Sequence, residues 1–528
     1  MIRYRLLGAA LAAAVIGTAL AVPATAAPRN TTAHEVESAD YTLGDNAFTV
    51  PGFRKKIELT GRVHHPKDLG NGPYPLVLFL HGQHATCEVN GRASMHWPCP
   101  GKPIPSYQGY DYLGEELASR GYVVVSISAN GVNSGDSGRD DSGMRARGEL
   151  VDRHVQLWRE RTSREAKWHN AIDFTRVGTM GHSRGGEGVI YHALGKHEGY
   201  QLRAVLPLAP VDFNRRVLTD VPTATVLPYC DGDVADLQGT HYYDDARYAR
   251  AGDQAGKHLV TVMGANHNFF NTVWSPGSGK VGSRDDWDGD PKAACSDPAN
   301  RLTEQQQRQA GITYVAGFFR YYLGGEQALK GLWQGESSDA KAMVSYHAPA
   351  ARRQDVNRLD GKARNKVSGL SSATACSTIC VLRRGGWAQE PHAGLHMVKA
   401  KWTKPGGRID TELDSHDLNG FSTLRLRVAQ DFTDAANKAG AAQDLSVRFT
   451  DGAGHEASVP LTRQSHALAY PPQGVGGDLS SAHFLLQQVR IPLDEVSGID
   501  RADVRTVSLV FDRTGSGSVG LSDLTLTN

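Results

Sequence analysis

The pattern G-x-S-x-G occurs once in the chain, as Gly181-His182-Ser183-Arg184-Gly185, and its setting constrains the fold more than any other feature. A strand-like run, 176–180, leads into it and a helix-like run, 187–194, leads out. A serine on so cramped a strand-to-helix turn needs small residues two before and two after it, and both are glycines here. The turn lifts Ser183 above the end of a sheet strand, and the helix behind it aims its partial positive end at any oxyanion formed there. The bland reading of five such residues is a Gly-rich turn, but the strand-turn-helix setting favours a nucleophile.

The rest of the first two-thirds fits such a sheet. Short runs rich in Val, Ile and Leu at 75–80, 122–128, 177–180, 204–208, 225–229 and 258–263 predict strands. Helical spacing at 111–120, 149–161 and 304–323 predicts helices between and after them. That alternation is the βαβ rhythm of a mostly parallel sheet covered on both faces, an α/β class. Beyond about residue 340 the rhythm becomes short strands divided by Gly, Asp and Ser, at 395–402, 424–428, 445–449, 484–491, 507–511 and 519–526. This predicts an all-β, jelly-roll-like sandwich. The expected organisation is an α/β catalytic domain over 40–335, a linker or wrapping segment over 336–375 and the sandwich over 376–528.

With 57 Lys+Arg against 56 Asp+Glu there is no global field to recruit nucleic acid or an anionic membrane. Arg3 and Arg5 precede the apolar run 6–22, which ends in Pro23-Ala24-Thr25-Ala26-Ala27. A basic, then apolar, then small-residue order reads as a secretory signal over 1–27. The alternative, an uncleaved anchor, needs a longer apolar run. The mature chain is expected to be extracellular and to have no membrane span.

Six cysteines in an exported chain suggest disulfides, with 15 possible connectivities. Local proximity pairs Cys87 with Cys99 and Cys376 with Cys380. The spacing of the last two also suits zinc, but no second Cys or His pair lies nearby to complete a site.

A serine hydroxyl needs a base to take its proton, and the base needs an acid to hold its tautomer. In a fold of this class the chain order is serine, acid, histidine. After the predicted 225–229 strand comes Cys230-Asp231-Gly232-Asp233-Val234-Ala235-Asp236, and after the next strand comes Gly264-Ala265-Asn266-His267. His267 is the expected base. Asp233 leads among the acids, with Asp236 and Asp231 behind it as candidate loop caps. Two backbone N–H groups should form an oxyanion hole: that of Arg184, after the nucleophile, and that of Gln83, in the His81-Gly82-Gln83 turn that ends the 75–80 strand. His81 itself reads as a structural turn residue.

These segments resemble the α/β-hydrolase superfamily, and within it the bacterial cutinase-like and polyester hydrolases and their dienelactone-hydrolase-like relatives. The resemblance spans about 55–325. It is carried by Leu76-Val77-Leu78-Phe79-Leu80-His81-Gly82, by Ala118-Ser119-Arg120-Gly121-Tyr122-Val123-Val124, by Met180 to Gly186, by Ala209-Pro210 and by Gly264-Ala265-Asn266-His267. It implies an α/β-hydrolase fold and a serine esterase that needs no cofactor. The family's acid position falls on Asp233, and a disulfide between acid loop and histidine loop in some members implies Cys230 with Cys295. Where polyesterases of this kind carry an aromatic clamp residue after Ala-Pro, this chain has Val211, which weakens any claim to aromatic polyesters. The segment 83–107, with Cys87, Trp97 and Cys99, reads as a lid, a pocket wall or a stapled surface loop, and 269–296 is an insertion after the base.

Three further features bear on possible ligands. Asp285-Asp286-Trp287-Asp288-Gly289-Asp290 alternates oxygen ligands as a calcium loop does but lacks a distal Glu, so a solvated acidic loop is favoured and no metal is expected. Glu187 could pair with Arg184 or line the pocket, with a helix N-terminal charge as the simpler account. Trp387 and Trp402 could stack on sugars, giving the C-terminal domain a carbohydrate or cell-surface contact, but core positions are favoured. The expected function is a secreted serine hydrolase acting on carboxylic esters. A peptidase or acyltransferase with the same triad is the alternative, and a polysaccharide- or cell-wall-binding protein on a hydrolase scaffold is a second.

Overall fold

A computed structural model describes residues 33–137, 140–279, 281–283, 295–336, 341–362, 365–376, 391–463, 465–472 and 482–528. The expected signal at 1–27, the acidic loop 285–290, Trp387 and Cys380 lie outside these described residues.

Among the described residues, a nine-stranded sheet runs in the spatial order Val36–Thr42, Thr60–Pro66, Val123–Ile127, Tyr74–Leu80, Ile172–His182, Leu202–Leu208, Thr223–Pro228, Lys257–Val262 and Ala342–His347. The six strands from Val123–Ile127 to Lys257–Val262 are parallel to one another. The first two strands pair antiparallel at one edge and Ala342–His347 does so at the other.

The central Tyr74–Leu80 strand shows why the sequence is apolar without alternation: all seven residues are buried. Leu76, Leu78 and Leu80 belong to one core with Val151, Val155 and Trp158 of the helix Met144–Arg164 and Ile190 of the helix Arg184–Ala193. Val77 and Phe79 enter a second core with Leu113 and Leu117 of the helix Asp111–Ala118 and with Phe318 and Phe319 of the helix Gly317–Tyr322. Each face of the sheet is therefore covered by helices, the arrangement a run of buried parallel strands requires. The expected 304–323 helix is one helical run, Glu304–Gly311 and Gly317–Tyr322, with a π turn at Ile312–Ala316 between them.

The C-terminal part is all-β. The strands Ser372–Cys376, Met397–Trp402, Gly517–Thr527, Thr423–Gln430 and Gln487–Pro492 lie in that order in one antiparallel sheet, where Arg353–Asn357 also pairs with Gly517–Thr527. A second antiparallel sheet has the order Asn365–Ser368, Gly407–Glu412, Val504–Phe511, Ser446–Asp451 and Glu456–Pro460. Both sheets feed one apolar cluster that includes Leu426, Val489, Phe449, Leu509 and Leu521. Trp402 sits in it with no exposed surface, its indole N–H bonded to the Thr514 carbonyl at 3.0 Å and its ring 4.9 Å from that of Phe511. With no free face, Trp402 cannot stack on a sugar.

The stretch 336–375 differs from the linker reading. Ala342–His347 is the edge strand of the nine-stranded sheet, and Arg353–Asn357 and Asn365–Ser368 already belong to the C-terminal sheets. These strands are short and half-polar, so they carry little apolar signal. The edge strand meets the C-terminal part through Gln488, whose amide bonds both the N–H and the C=O of Tyr346 at 3.0 and 2.9 Å. Nearby, buried Asp244 takes Arg427 at 2.7 Å and His392 at 2.6 Å, and Arg247 pairs with Asp523.

Candidate active site

Ser183 stands between the strand Ile172–His182 and the helix Arg184–Ala193 with φ 59° and ψ −126°, a conformation that non-glycine residues adopt only where the surroundings impose it. The flanking glycines are obligatory. A Cβ on Gly181 would lie 2.0 Å from the Gly185 carbonyl oxygen, and one on Gly185 would lie 2.4 Å from that of Leu80. The Ser183 N–H is bonded to the Leu208 carbonyl at 2.9 Å, which anchors the turn on the neighbouring strand.

His267 follows the Lys257–Val262 strand, and its loop is held from two sides. Gln307 on the helix Glu304–Gly311 accepts from the Asn266 N–H at 2.9 Å and donates to the Asn266 carbonyl at 2.7 Å. The His182 ring, beside Ser183, donates from Nε2 to the His267 carbonyl at 3.0 Å and accepts from the Tyr110 hydroxyl at Nδ1 at 2.9 Å. Burial lowers the affinity of His182 for a second proton well below the ordinary value, which suits this neutral bridging role.

The acid loop carries the main difference from the sequence expectation. Asp231, rather than the expected Asp233, lies against the inner nitrogen of His267, with Oδ2 2.9 Å from Nδ1 and both side chains buried. A carboxylate only accepts, so this contact calls for a ring proton on Nδ1. Asp231 is aimed by its own loop, because Oδ1 accepts from the N–H groups of Asp233 at 3.0 Å and Val234 at 2.6 Å. Burial raises its carboxyl affinity for a proton, and His267 opposes that shift. Asp233 is 51% exposed and lies on the other side of the ring, 3.3 Å from Nε2. Asp236 turns away to cap Gln238. The Asp-Gly-Asp spacing cannot separate these roles in sequence, because two residues in a loop reverse which side of a ring a carboxylate reaches.

The acid and histidine loops are joined by the Cys230 N–H to the Ala265 carbonyl at 2.8 Å, and the Cys230–Cys295 disulfide fixes the acid side. Cys87 and Cys99 are also bonded, with Cα atoms 5.4 Å apart. They staple a small three-stranded unit of Cys87–Val89, Arg92–Ser94 and Lys102–Pro103. Trp97 in this segment packs toward the N-terminal loop, bonding the Asp45 carbonyl at 3.2 Å.

Gly82, the neighbour of Gln83, lies against Ser183: a Cβ on it would fall 2.5 Å from Ser183 Cβ. Arg184 opens the helix, so its N–H is one of the first-turn donors left without an intrahelical acceptor. Val211 is buried, and the exposed aromatic of that loop is Phe213, with the Arg184 guanidinium 5.8 Å from its ring. Glu187 neither pairs with Arg184 nor reaches the mouth: it accepts from the backbone of Phe213 and Asn214, both at 3.0 Å. Sequence reading missed Trp274, in the insertion after His267. It is buried, lies parallel to the His84 ring at 5.5 Å and to the His267 ring at 6.4 Å, and donates to Ser106 Oγ at 3.0 Å. Its only sequence signal was being an aromatic in that insertion.

Residues 101–280, which hold the elbow and both loops, match the PETase family, described as PET hydrolase-like. Cutinase est2 of Thermobifida alba is 32% identical over 128 residues, 23% of this chain and 38% of the relative. Cutinase est1 of the same organism is 29% identical over 141 residues, 26% of this chain and 43% of the relative. Cutinase cut1 of Thermobifida fusca is 27% identical over 221 residues, 40% of this chain and 57% of the relative. The chain thus spans from about two-fifths to just over half the length of these relatives, and the C-terminal sheets lie outside the family match. With an elbow serine, a histidine loop and an acid loop at the strand ends of a mostly parallel sheet, this part of the chain is similar to the cutinase-like polyester hydrolases of the α/β-hydrolase superfamily.

Proposed function

We propose that the protein hydrolyses carboxylic esters through an acyl-enzyme on Ser183. The observation that carries this reading is the buried Asp231–His267 pair, 2.9 Å apart, in the loops beside an elbow serine held at positive φ. His267 Nε2 accepts the Ser183 proton as Oγ attacks the acyl carbon, and returns it to the leaving alcohol. Asp231 keeps the ring proton on Nδ1 and stabilises the imidazolium. Backbone N–H groups of Gln83 and Arg184 hold the oxyanion, and water then cleaves the acyl-enzyme by the same route in reverse. The cutinase and PET hydrolase-like relatives support an ester bond as the target. Buried Val211 in the clamp position favours aliphatic over aromatic polyesters.

The basic-then-apolar order of 3–22 and the two disulfides support an exported enzyme working in an oxidising compartment. The α/β part is the catalytic domain in this reading, and the C-terminal sheets form a jelly-roll-like sandwich docked on it. The test is hydrolysis of p-nitrophenyl esters from acetate to palmitate by wild type, Ser183→Ala and His267→Ala. Cleavage by wild type with essentially complete loss in both variants is expected, and the chain-length profile then sizes the acyl site. Wild-type silence on every ester, or retained rate in Ser183→Ala, refutes the assignment.

A further inference from the structure

A buried ionic network lies behind the oxyanion loop, and the triad chemistry makes no use of it. The side chains of Asp136 and Arg147 have no exposed surface and pair at 2.8 Å. Asp136 Oδ2 also accepts from Arg184 Nη1 at 2.9 Å, and Oδ1 accepts from Gln83 Nε2 at 3.3 Å. One carboxylate therefore holds, by their side chains, both residues whose backbone N–H groups face the reacting carbonyl in the reading above. Arg147 also reaches a second acceptor, its Nη2 donating to Asn133 Oδ1 at 2.6 Å.

Asn133 in turn donates from Nδ2 to the Gly82 carbonyl at 3.0 Å. The same carbonyl accepts from His81 Nδ1 at 2.8 Å, and His81 Nε2 accepts from the Ala129 N–H at 2.8 Å, which fixes the tautomer. The Gly82 carbonyl and the Gln83 N–H belong to one planar trans peptide and point in opposite directions. Two donors pulling the carbonyl backwards therefore aim the N–H forwards. Gly82 is also where the loop touches the nucleophile, since a Cβ there would fall 3.1 Å from Ser183 Oγ. A buried ion pair is weak evidence for stability, because desolvation cancels much of its attraction. Its hydrogen bonds here converge on one peptide and on two donors.

We propose that Asn133, held by Arg147 and Asp136, is a positioning residue that fixes the Gly82–Gln83 peptide so that the Gln83 N–H meets the oxyanion of the tetrahedral intermediate. This rests on the serine-esterase reading. A preorganised donor needs no reorganisation at the moment of reaction, so loosening its peptide weakens the transition state and leaves substrate binding alone.

The test is Asn133→Asp, which keeps the shape and the Arg147 contact but removes the Nδ2 donor. Asn133→Ala removes the same donor without adding charge. Each is assayed on a p-nitrophenyl ester and on the matching thionoester, whose sulfur is a poor hydrogen-bond acceptor. The oxo-to-thiono ratio of kcat is independent of how much enzyme is folded. Both variants should lower kcat on the oxo ester about 10- to 100-fold with KM nearly unchanged, and should lower the ratio about tenfold. A ratio within about twofold of wild type in both variants overturns the proposal, whatever the effect on yield or Tm. Ser183→Ala separates the two readings. If it abolishes turnover and the Asn133 ratios do not move, only the positioning role falls; if it keeps turnover, the esterase reading and the positioning role fall together.

Discussion

Exchanging the two acids beside His267 gives the sharpest test of the site, because the structure assigns them opposite sides of one ring. In Asp231→Asn the buried contact to Nδ1 keeps its length and loses its chemistry. The amide that replaces Oδ2 can turn its NH₂ toward Nδ1, and the ring proton then moves to Nε2, where the lone pair for Ser183 should be. Loss of the correct tautomer costs about 10⁴-fold in kcat, or about 5.5 kcal/mol of transition-state stabilisation. Asp233→Asn removes a carboxylate that is 51% exposed and 3.3 Å from Nε2. With Asp233 half-exposed, solvent screens the pair to about 1 kcal/mol, so kcat/KM should change by no more than about fivefold. Initial rates on p-nitrophenyl butyrate, with circular dichroism to confirm folding, decide the matter. An Asp233→Asn loss as large as that of Asp231→Asn, or an Asp231→Asn enzyme within about tenfold of wild type, refutes the reasoning.

Two further outcomes follow from buried charges. Burial pushes the Glu187 carboxyl up to about 7 from an ordinary 4.5. The folded value lies above the unfolded one, so its stabilising effect is complete below about pH 4.5 and is lost as pH rises through 7, a change of up to about 3 kcal/mol. Thermal denaturation of wild type should therefore show stability declining between about pH 4.5 and 7 relative to Glu187→Gln, and parallel curves would count against the assignment. At the junction with the C-terminal sheets, burial alone would raise the Asp244 carboxyl, but Arg427, His392 and Arg247 outweigh it and hold it far below the usual range. Asp244→Asn leaves buried Arg427 with only the longer 3.5 Å contact to Asp523 and should cost about 3 kcal/mol in urea unfolding; a loss under about 1 kcal/mol would show the Asp244 pair to be dispensable.

The α/β part was readable because its signals are local and strong. Buried parallel strands such as Tyr74–Leu80 must be apolar on both faces, and a strained serine turn must be flanked by glycine. In the C-terminal part, the strands with long apolar runs were legible, whereas Gly407–Glu412, with Ile409 as its only large apolar residue, was not. Its inward and outward residues alternate too briefly to stand out. Trp402 shows the limit in another way, since an aromatic in a strand has the same one-dimensional signature whether it faces a ligand or the core.

The sequence by itself determined where the candidate nucleophile, the candidate base and the loop that supplies the acid lie, because each is tied to the end of a strand by spacing along the chain. Local proximity along the chain also pointed to Cys87–Cys99, and the family resemblance implied Cys230–Cys295, both of which the structure contains. Only the tertiary structure decided which of Asp231, Asp233 and Asp236 meets Nδ1, because that depends on how one loop turns around its own backbone N–H groups. The network of Gly82, Gln83, Asn133, Asp136, Arg147 and Arg184 was likewise invisible in the chain. Its members come from four separate segments, and a buried arginine and a surface one look alike until the fold has removed one of them from water.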